Sequence, residues 1–184
     1  MEQMDLSFSS VEGFLSDSLL VTSSTAWDKI GRTITILNAD DSLSKVSQFK
    51  IIPNKGIDVP EGFSYGVAIS TLDSLIAAGN VAKYEIQLFN YKGKKVKTIS
   101  RDFNKLVRPG FAQTGNSSSM KSYGSLNAPV ALSDNYLLTS LSWPTNIEHP
   151  DQYLEKSSTE NTNVPEVEYR NSIDLYKSNG ALLY

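Results

Sequence analysis

Nine residues in irregular stretches of the sequence carry side chains that could bind a ligand by stacking, charge or hydrogen bonding. Indole and phenol rings offer flat apolar surfaces with one polar atom, whereas lysine and arginine offer charges for carboxylate or phosphate groups. These ligand-binding candidates are Trp27, Lys29, Arg32, Arg108, Lys121, Tyr123, Trp143, His149 and Tyr153. Their chemistry suits a protein, peptide or carbohydrate ligand, which the sequence does not identify further.

Each candidate also has a structural interpretation. Trp27 and Trp143 both follow a predicted strand, where an indole ring more often caps the packing of a sheet. His149 is the only histidine, so no histidine-based metal cluster is expected, and a solvated loop histidine is more common than a catalytic base. Asp40 and Asp41 are more typical of a turn than of a calcium site. The sequence therefore indicates no catalytic residue, no metal and no cofactor.

The composition narrows the classes of function. The chain has 184 residues, of which 40% are hydrophobic, so it can form one substantial core. It contains no cysteine, which excludes disulfides, thiolate zinc sites and a cysteine nucleophile. A net charge of −3 gives no basic field for a nucleic acid. The acidic first residues and the absence of a long apolar stretch predict no export signal and no transmembrane segment in the sequence as written.

The nine ligand-binding candidates must be positioned by the fold, and the sequence shows that this fold is built from a repeated element. Residues 15–23, 71–79 and 132–140 share one pattern, in which an aspartate turn is followed by an apolar run that ends in small residues. The turns at Asp17, Asp73 and Asp134 recur at intervals of roughly 60 residues, slightly longer than the roughly 40 to 50 residues of common blade-like repeats. Aspartate recurs there because its side chain accepts backbone hydrogen bonds in tight turns.

A second motif follows each copy of the first, at residues 34–41, 86–93 and 173–180. Apolar and polar residues alternate before a turn rich in Asn, Asp or Gly, which predicts a half-buried strand entering a hairpin. Further strands are expected before the first motif and after the second, so each copy comprises four strands. In the third copy only residues 181–184 remain for the last strand.

The repeat predicts an all-β fold, a partial β-propeller of three consecutive four-stranded antiparallel blades. The blades should span about residues 6–52, 64–102 and 125–184, the last with a long insertion at 142–170. A β-sandwich or an up-and-down barrel built from the same meanders is the alternative. Little helix is expected, because no segment keeps an apolar period of about 3.6 residues.

The run of residues 86–99, with its alternating strand, glycine turn and Val-Lys-Thr-Ile strand, resembles the outer hairpin of bacterial six-bladed propellers of the TolB-like and NHL-like kind. Residues 173–184 repeat the pattern, whereas Asp40 and Asp41 replace the glycine turn in the first copy. This resemblance implies a blade fold and a bacterial periplasm or cell envelope location if the full-length chain is exported. It implies no activity, because fold alone does not specify function.

The long irregular segments are all predicted at one end of the blades. In a four-stranded meander, residues 24–32, 53–65, 102–126 and 142–170 are the connections that fall on one face. Elaborated loops on a rigid scaffold usually carry binding groups. The sequence therefore favours a non-enzymatic binding or interaction domain that uses this face. A propeller hydrolase or lyase acting on carbohydrate or peptide, and a purely structural module, are the alternatives.

The unfinished third blade leads to a further expectation. Rings close with about four to eight blades, so three would leave two outer faces bare. Such apolar faces exceed what soluble monomers usually expose. We therefore expect the chain either to belong to a longer six-bladed chain or to pair with a second copy that completes a ring. Light scattering should then show aggregation, marginal folding or a dimer.

Overall fold

The computed structural model describes residues 9–24, 31–40, 42–51, 67–72, 74–80, 84–105, 110–114, 117–121, 125–133, 136–146, 167–177 and 179–183. These residues form antiparallel β-structure without helix. Accordingly, no helix within this part of the chain has the length and apolar character needed to cross a membrane.

The first two sheets are plain four-stranded meanders. Sheet 1 has the strand order β1-β2-β3-β4, with β1 at Ser9–Ser16, β2 at Leu19–Ser24, β3 at Arg32–Asn38 and β4 at Lys45–Ile51. Sheet 2 has the order β5-β6-β7-β8, with β5 at Val67–Leu72, β6 at Leu75–Asn80, β7 at Glu85–Asn90 and β8 at Lys95–Ser100. Each strand pairs antiparallel with its sequence neighbour, as consecutive strands most often do.

A separate hairpin follows sheet 2. Its strands are β9 at Gly110–Thr114 and β10 at Ser117–Lys121. The sequence predicted an irregular segment at residues 102–126, so this hairpin is a correction. Its serine-rich second strand lacks the apolar alternation by which half-buried strands are recognised.

Sheet 3 departs from the plain meander in its first strand. Two short strands, β11 at Ser125–Leu126 and β12 at Val130–Ser133, pair in succession with the same edge of β13, Tyr136–Pro144. Pro129 lies in the gap, where a residue without an N–H cannot continue the ladder. On the other side β13 pairs with β14, Tyr169–Lys177, and both strands extend into the predicted insertion.

A short segment after β14 occupies the position of a fourth strand in sheet 3. A bridge joins Tyr176 to Leu182, and the N–H of Leu183 donates to the carbonyl of Leu175 at 2.7 Å. The position matches that of β4 and β8 in the other two sheets. Sheet 3 is therefore built on the same four-strand plan.

The three sheets stack face to face in an open arrangement. The first core lies between sheets 1 and 2, where Ile34 and Ile36 pack with Ile76 and Phe89. The second lies between sheets 2 and 3, where Ile86 and Leu88 pack with residues that include Leu141 and Tyr176. We call the side of each sheet that carries Ile34, Ile86 or Ile173 its forward face, and the opposite side its rear face.

This arrangement confirms the predicted all-β fold of blade-like four-stranded antiparallel sheets. The three equivalent apolar strands β2, β6 and β13 lie in three different sheets, each as the strand next to the first edge. A sandwich would have placed two of them side by side in one sheet. The stack is also open, which a closed barrel is not.

Candidate functional site at the loop-bearing end

Two contacts between neighbouring sheets show which ends of their strands lie together. Ser47, near the start of β4, donates a hydrogen bond to the carbonyl of Tyr91 in the turn before β8. Gly180, in the turn after β14, lies against the Lys97 side chain near the start of β8. The short turns of the three sheets therefore share one end of the stack. Strands β2, β4, β8 and β13 end at the opposite end, from which the long connections leave, and we call it the loop-bearing end.

Most residues of the long connections lie outside the described residues. The prediction that the segments themselves share one face therefore stays a prediction. The described strand ends agree with it.

A buried polar cluster joins sheets 2 and 3 near this end. Tyr84, just before β7, donates from its hydroxyl to Asp174 Oδ2 of β14. Asp174 also accepts from Ser172 Oγ at 2.8 Å and from Arg101 Nη1 at 2.9 Å. The Tyr176 hydroxyl contacts that of Tyr84 and donates to it, because the Tyr84 proton is already directed at the carboxylate. Every polar group of this cluster therefore has a protein partner, which is what burial requires.

Burial fixes the protonation state of the two phenols. It raises the pKa of Tyr84 above its usual value, and the hydrogen bond to Asp174 raises it further. Burial is also the main cause that raises the pKa of Tyr176. Both hydroxyls therefore remain protonated near neutral pH and act as donors, not as bases.

Arg101 connects this cluster to the surface. Its side chain is 38% exposed. The guanidinium lies 5.7 Å from the ring centre of Tyr84 and 5.5 Å from that of Phe103. Trp143, at the end of β13, meets Phe103 edge-on with 5.2 Å between ring centres. A guanidinium flanked by aromatic rings can receive a carboxylate on its free edge while the rings offer apolar contact. We call Arg101, Phe103 and Trp143 the Arg101 patch.

Arg32 forms a second polar group at the loop-bearing end of sheet 1. Its Nη2 lies 3.0 Å from Glu12 Oε1 and 3.0 Å from Ser10 Oγ. Ser23 Oγ also donates to Glu12 Oε1. The guanidinium therefore holds the third strand of sheet 1 to the first, and its charge is balanced by Glu12.

Two of the nine predicted ligand-binding residues have described side chains, and they lie on different sheets. Arg32 is engaged by Glu12, and Trp143 packs against the second core. Lys121 is the last residue of β10, and its side chain is outside the described part. The remaining predicted residues also lie outside the described residues: Trp27, Lys29, Arg108, Tyr123, His149 and Tyr153.

Sequence reasoning missed the residues that build this site. Asp174 was assigned to the polar side of a half-buried strand, but it is 2% exposed whereas its neighbour Ile173 is 64% exposed. The available signal was an aspartate within a strand, because aspartate is depleted in strands. Tyr84 and Arg101 stand next to strand ends and carry no local pattern that marks them.

The described residues contain no group of three or more His, Cys, Asp or Glu side chains placed to hold a metal ion. Comparison of the chain with known protein families, with curated proteins and with solved structures finds no match. The resemblance to TolB-like and NHL-like propellers therefore rests on the sequence motifs alone.

Proposed function

We propose that the protein is a non-enzymatic binding or interaction domain whose ligand-binding surface is the loop-bearing end of the stacked sheets. The observation that supports this most is the Arg101 patch, where a partly exposed guanidinium and two aromatic side chains lie together at that end. A rigid stack with long connections at one end is the usual arrangement for binding loops.

The buried cluster beneath the patch supports a binding role over a catalytic one. Asp174 is surrounded by donors from Tyr84, Ser172 and Arg101, so its acceptor capacity is used within the protein. A general base needs a lone pair directed at its substrate. The cluster instead holds Arg101 in place, and an oriented guanidinium suits a ligand that combines a carboxylate with an apolar or sugar-ring surface.

The experiment compares the two ends of the stack. The fluorescently labelled chain is applied to arrays of acidic glycans and acidic peptides, and the dissociation constant of any bound probe is measured by calorimetry. Lys105→Glu alters an exposed residue close to the patch in sequence, whereas Lys92→Glu makes the same charge change in the turn at the opposite end.

We expect Lys105→Glu to weaken binding at least tenfold, since it repels an acidic ligand, and Lys92→Glu to leave it unchanged. The proposal fails if neither array binds the chain. It also fails if Lys92→Glu weakens binding as much as Lys105→Glu.

A further inference from the structure

The forward face of sheet 3 differs from the two equivalent faces in the stack. Ile34 on sheet 1 and Ile86 on sheet 2 are fully buried, because each forward face packs on the rear face of the next sheet. Ile173 holds the same position on sheet 3 and is 64% exposed. The face is thus built as an interface, and we refer to it as the outer face of sheet 3.

The large exposed apolar residues on this face lie mainly around Leu138 and Leu175, with Asn171 between Ile173 and Tyr169. Pairing in the ladder aligns Val130 with Leu138 and Leu138 with Leu175, next to Ile173 on the same strand. Val130, Tyr136, Tyr169 and Ile173 are all large and exposed. Surfaces of this kind mark interaction sites in soluble proteins.

The surface is also uncharged along most of its length. Its third strand presents Tyr169, Asn171, Ile173 and Leu175, and β13 presents Tyr136, Leu138, Ser140 and Ser142. Lys177 follows only at the end of β14. An uncharged surface meets its own copy without repulsion, whereas faces of one sign cannot.

The other terminal face of the stack, the rear face of sheet 1, is partly covered, although Val11 and Phe14 of β1 are exposed on it. On the rear face of sheet 1, Thr22, Thr35 and Leu37 are already buried within one chain. The Thr22 hydroxyl donates to the Thr35 carbonyl, and Gln48 donates to the Thr35 hydroxyl. A head-to-tail contact between the outer face of one copy and sheet 1 of another would have to displace the residues that bury Thr22, Thr35 and Leu37.

We propose that the outer face of sheet 3 packs against the same face of a second copy of this chain, related to it by a two-fold axis. Two-fold contacts between identical patches are the commonest way in which soluble proteins assemble. A strand of nine residues and three paired strands give a face of about 30 Å by about 15 Å, so two copies cover roughly 900 Å². That area is at the low limit for specific interfaces, so the dimer should be weak and dependent on concentration.

Sedimentation equilibrium of the full chain from about 1 to about 500 µM tests the proposal in the range where small interfaces associate. Ile173→Lys places a charge at the centre of the outer face and should raise the dissociation constant at least tenfold. Val11→Lys makes a matched change at a residue of sheet 1 that is 67% exposed, and it should leave the dimer unchanged. Circular dichroism confirms that both variants are folded.

A second measurement does not depend on a destabilising charge. Because the chain has no cysteine, Ile173→Cys and Val11→Cys each introduce a single thiol. A short bis-maleimide linker should join two Ile173→Cys chains and leave Val11→Cys monomeric. A wild-type monomer throughout the concentration range would overturn the proposal, as would equal cross-linking of the two variants, which would show that Ile173 lies no closer than Val11 to its counterpart in a second copy.

Discussion

Arg32, Tyr84 and Asn171 occupy one position in the repeat, two residues before the forward-face isoleucine, yet they do different things. Arg32 turns back to Glu12 of its own sheet. Tyr84 crosses to Asp174 of the next sheet and is buried there. Asn171 is exposed. The repeat thus sets the strand and the face on which a side chain stands, while the residues opposite it decide what that side chain does.

The contact of Arg32 with Glu12 and that of Tyr84 with Asp174 also differ in how much they contribute to stability. The ion pair of Arg32 and Glu12 is partly exposed, and such pairs contribute about 0 to 1 kcal/mol. The contact of Tyr84 with Asp174 is buried, where a lost acceptor leaves a hydroxyl unsatisfied at a cost of about 1 to 3 kcal/mol. We therefore expect polar substitutions to destabilise the contact between sheets 2 and 3 at Tyr84 and Asp174 more than the contact within sheet 1 at Arg32 and Glu12.

Replacing Asp174 by alanine should have the largest effect. It leaves the buried hydroxyl of Tyr84 and the part-buried hydroxyl of Ser172 without their common acceptor, so we expect the free energy of unfolding to fall by about 2 to 4 kcal/mol. Arg101 adds little to this loss, because its exposed side chain is rehydrated. Urea denaturation measures the change, with the exposed Asp102→Ala as control. A loss below about 1 kcal/mol would mean that the cluster does not join the sheets.

Alanine substitutions at two turn glycines test the contact between sheets 1 and 2 and the contact between sheets 2 and 3. Gly93 and Gly180 both have positive φ, at 77° and 85°. A Cβ on Gly93 would lie 2.4 Å from Phe49 Cγ, whereas one on Gly180 would lie 3.1 Å from the flexible end of Lys97. Alanine should cost about 1 kcal/mol at Gly180 from backbone strain alone, and at least about 1 kcal/mol more at Gly93 from the added clash. Equal losses of unfolding free energy would contradict this difference.

The effect of the two tyrosines on the pH dependence of stability should be the smallest of these, because it is absent near neutral pH. The pKa of Tyr84 and that of Tyr176 are raised by burial, so the unfolded chain releases these protons first as pH rises. Their contribution to stability is therefore complete below about pH 10, the usual tyrosine pKa, and is lost above it. The free energy of unfolding should fall less steeply above that pH in Tyr84→Phe than in the wild type. Parallel slopes would show that Tyr84 titrates alike in both states.

The sequence predicted those features of the molecule that depend on residues close together in the chain. The alternation around Ile34 and Ile86 identified their strands, and the recurring turns separated the three sheets. The same alternation predicted a half-buried strand at residues 173–180 but did not indicate that Asp174 is buried there. The reason is that the partners of Asp174, Tyr84 and Arg101, come from another sheet far away in the chain, and a local pattern contains no information about them.

The most direct test of the account is a double-mutant cycle on Tyr84→Phe and Asp174→Asn, with unfolding free energies measured in urea. Residues in direct contact show coupling energies of about 0.5 to 3 kcal/mol, and we expect about 1 to 2 kcal/mol here. A control cycle that combines Arg32→Gln with Asp174→Asn should be additive, because Arg32 lies on sheet 1 and Asp174 on sheet 3, with sheet 2 between them. If the Tyr84 and Asp174 substitutions are additive to within about 0.3 kcal/mol, the two side chains do not hold sheets 2 and 3 together, and the account is wrong.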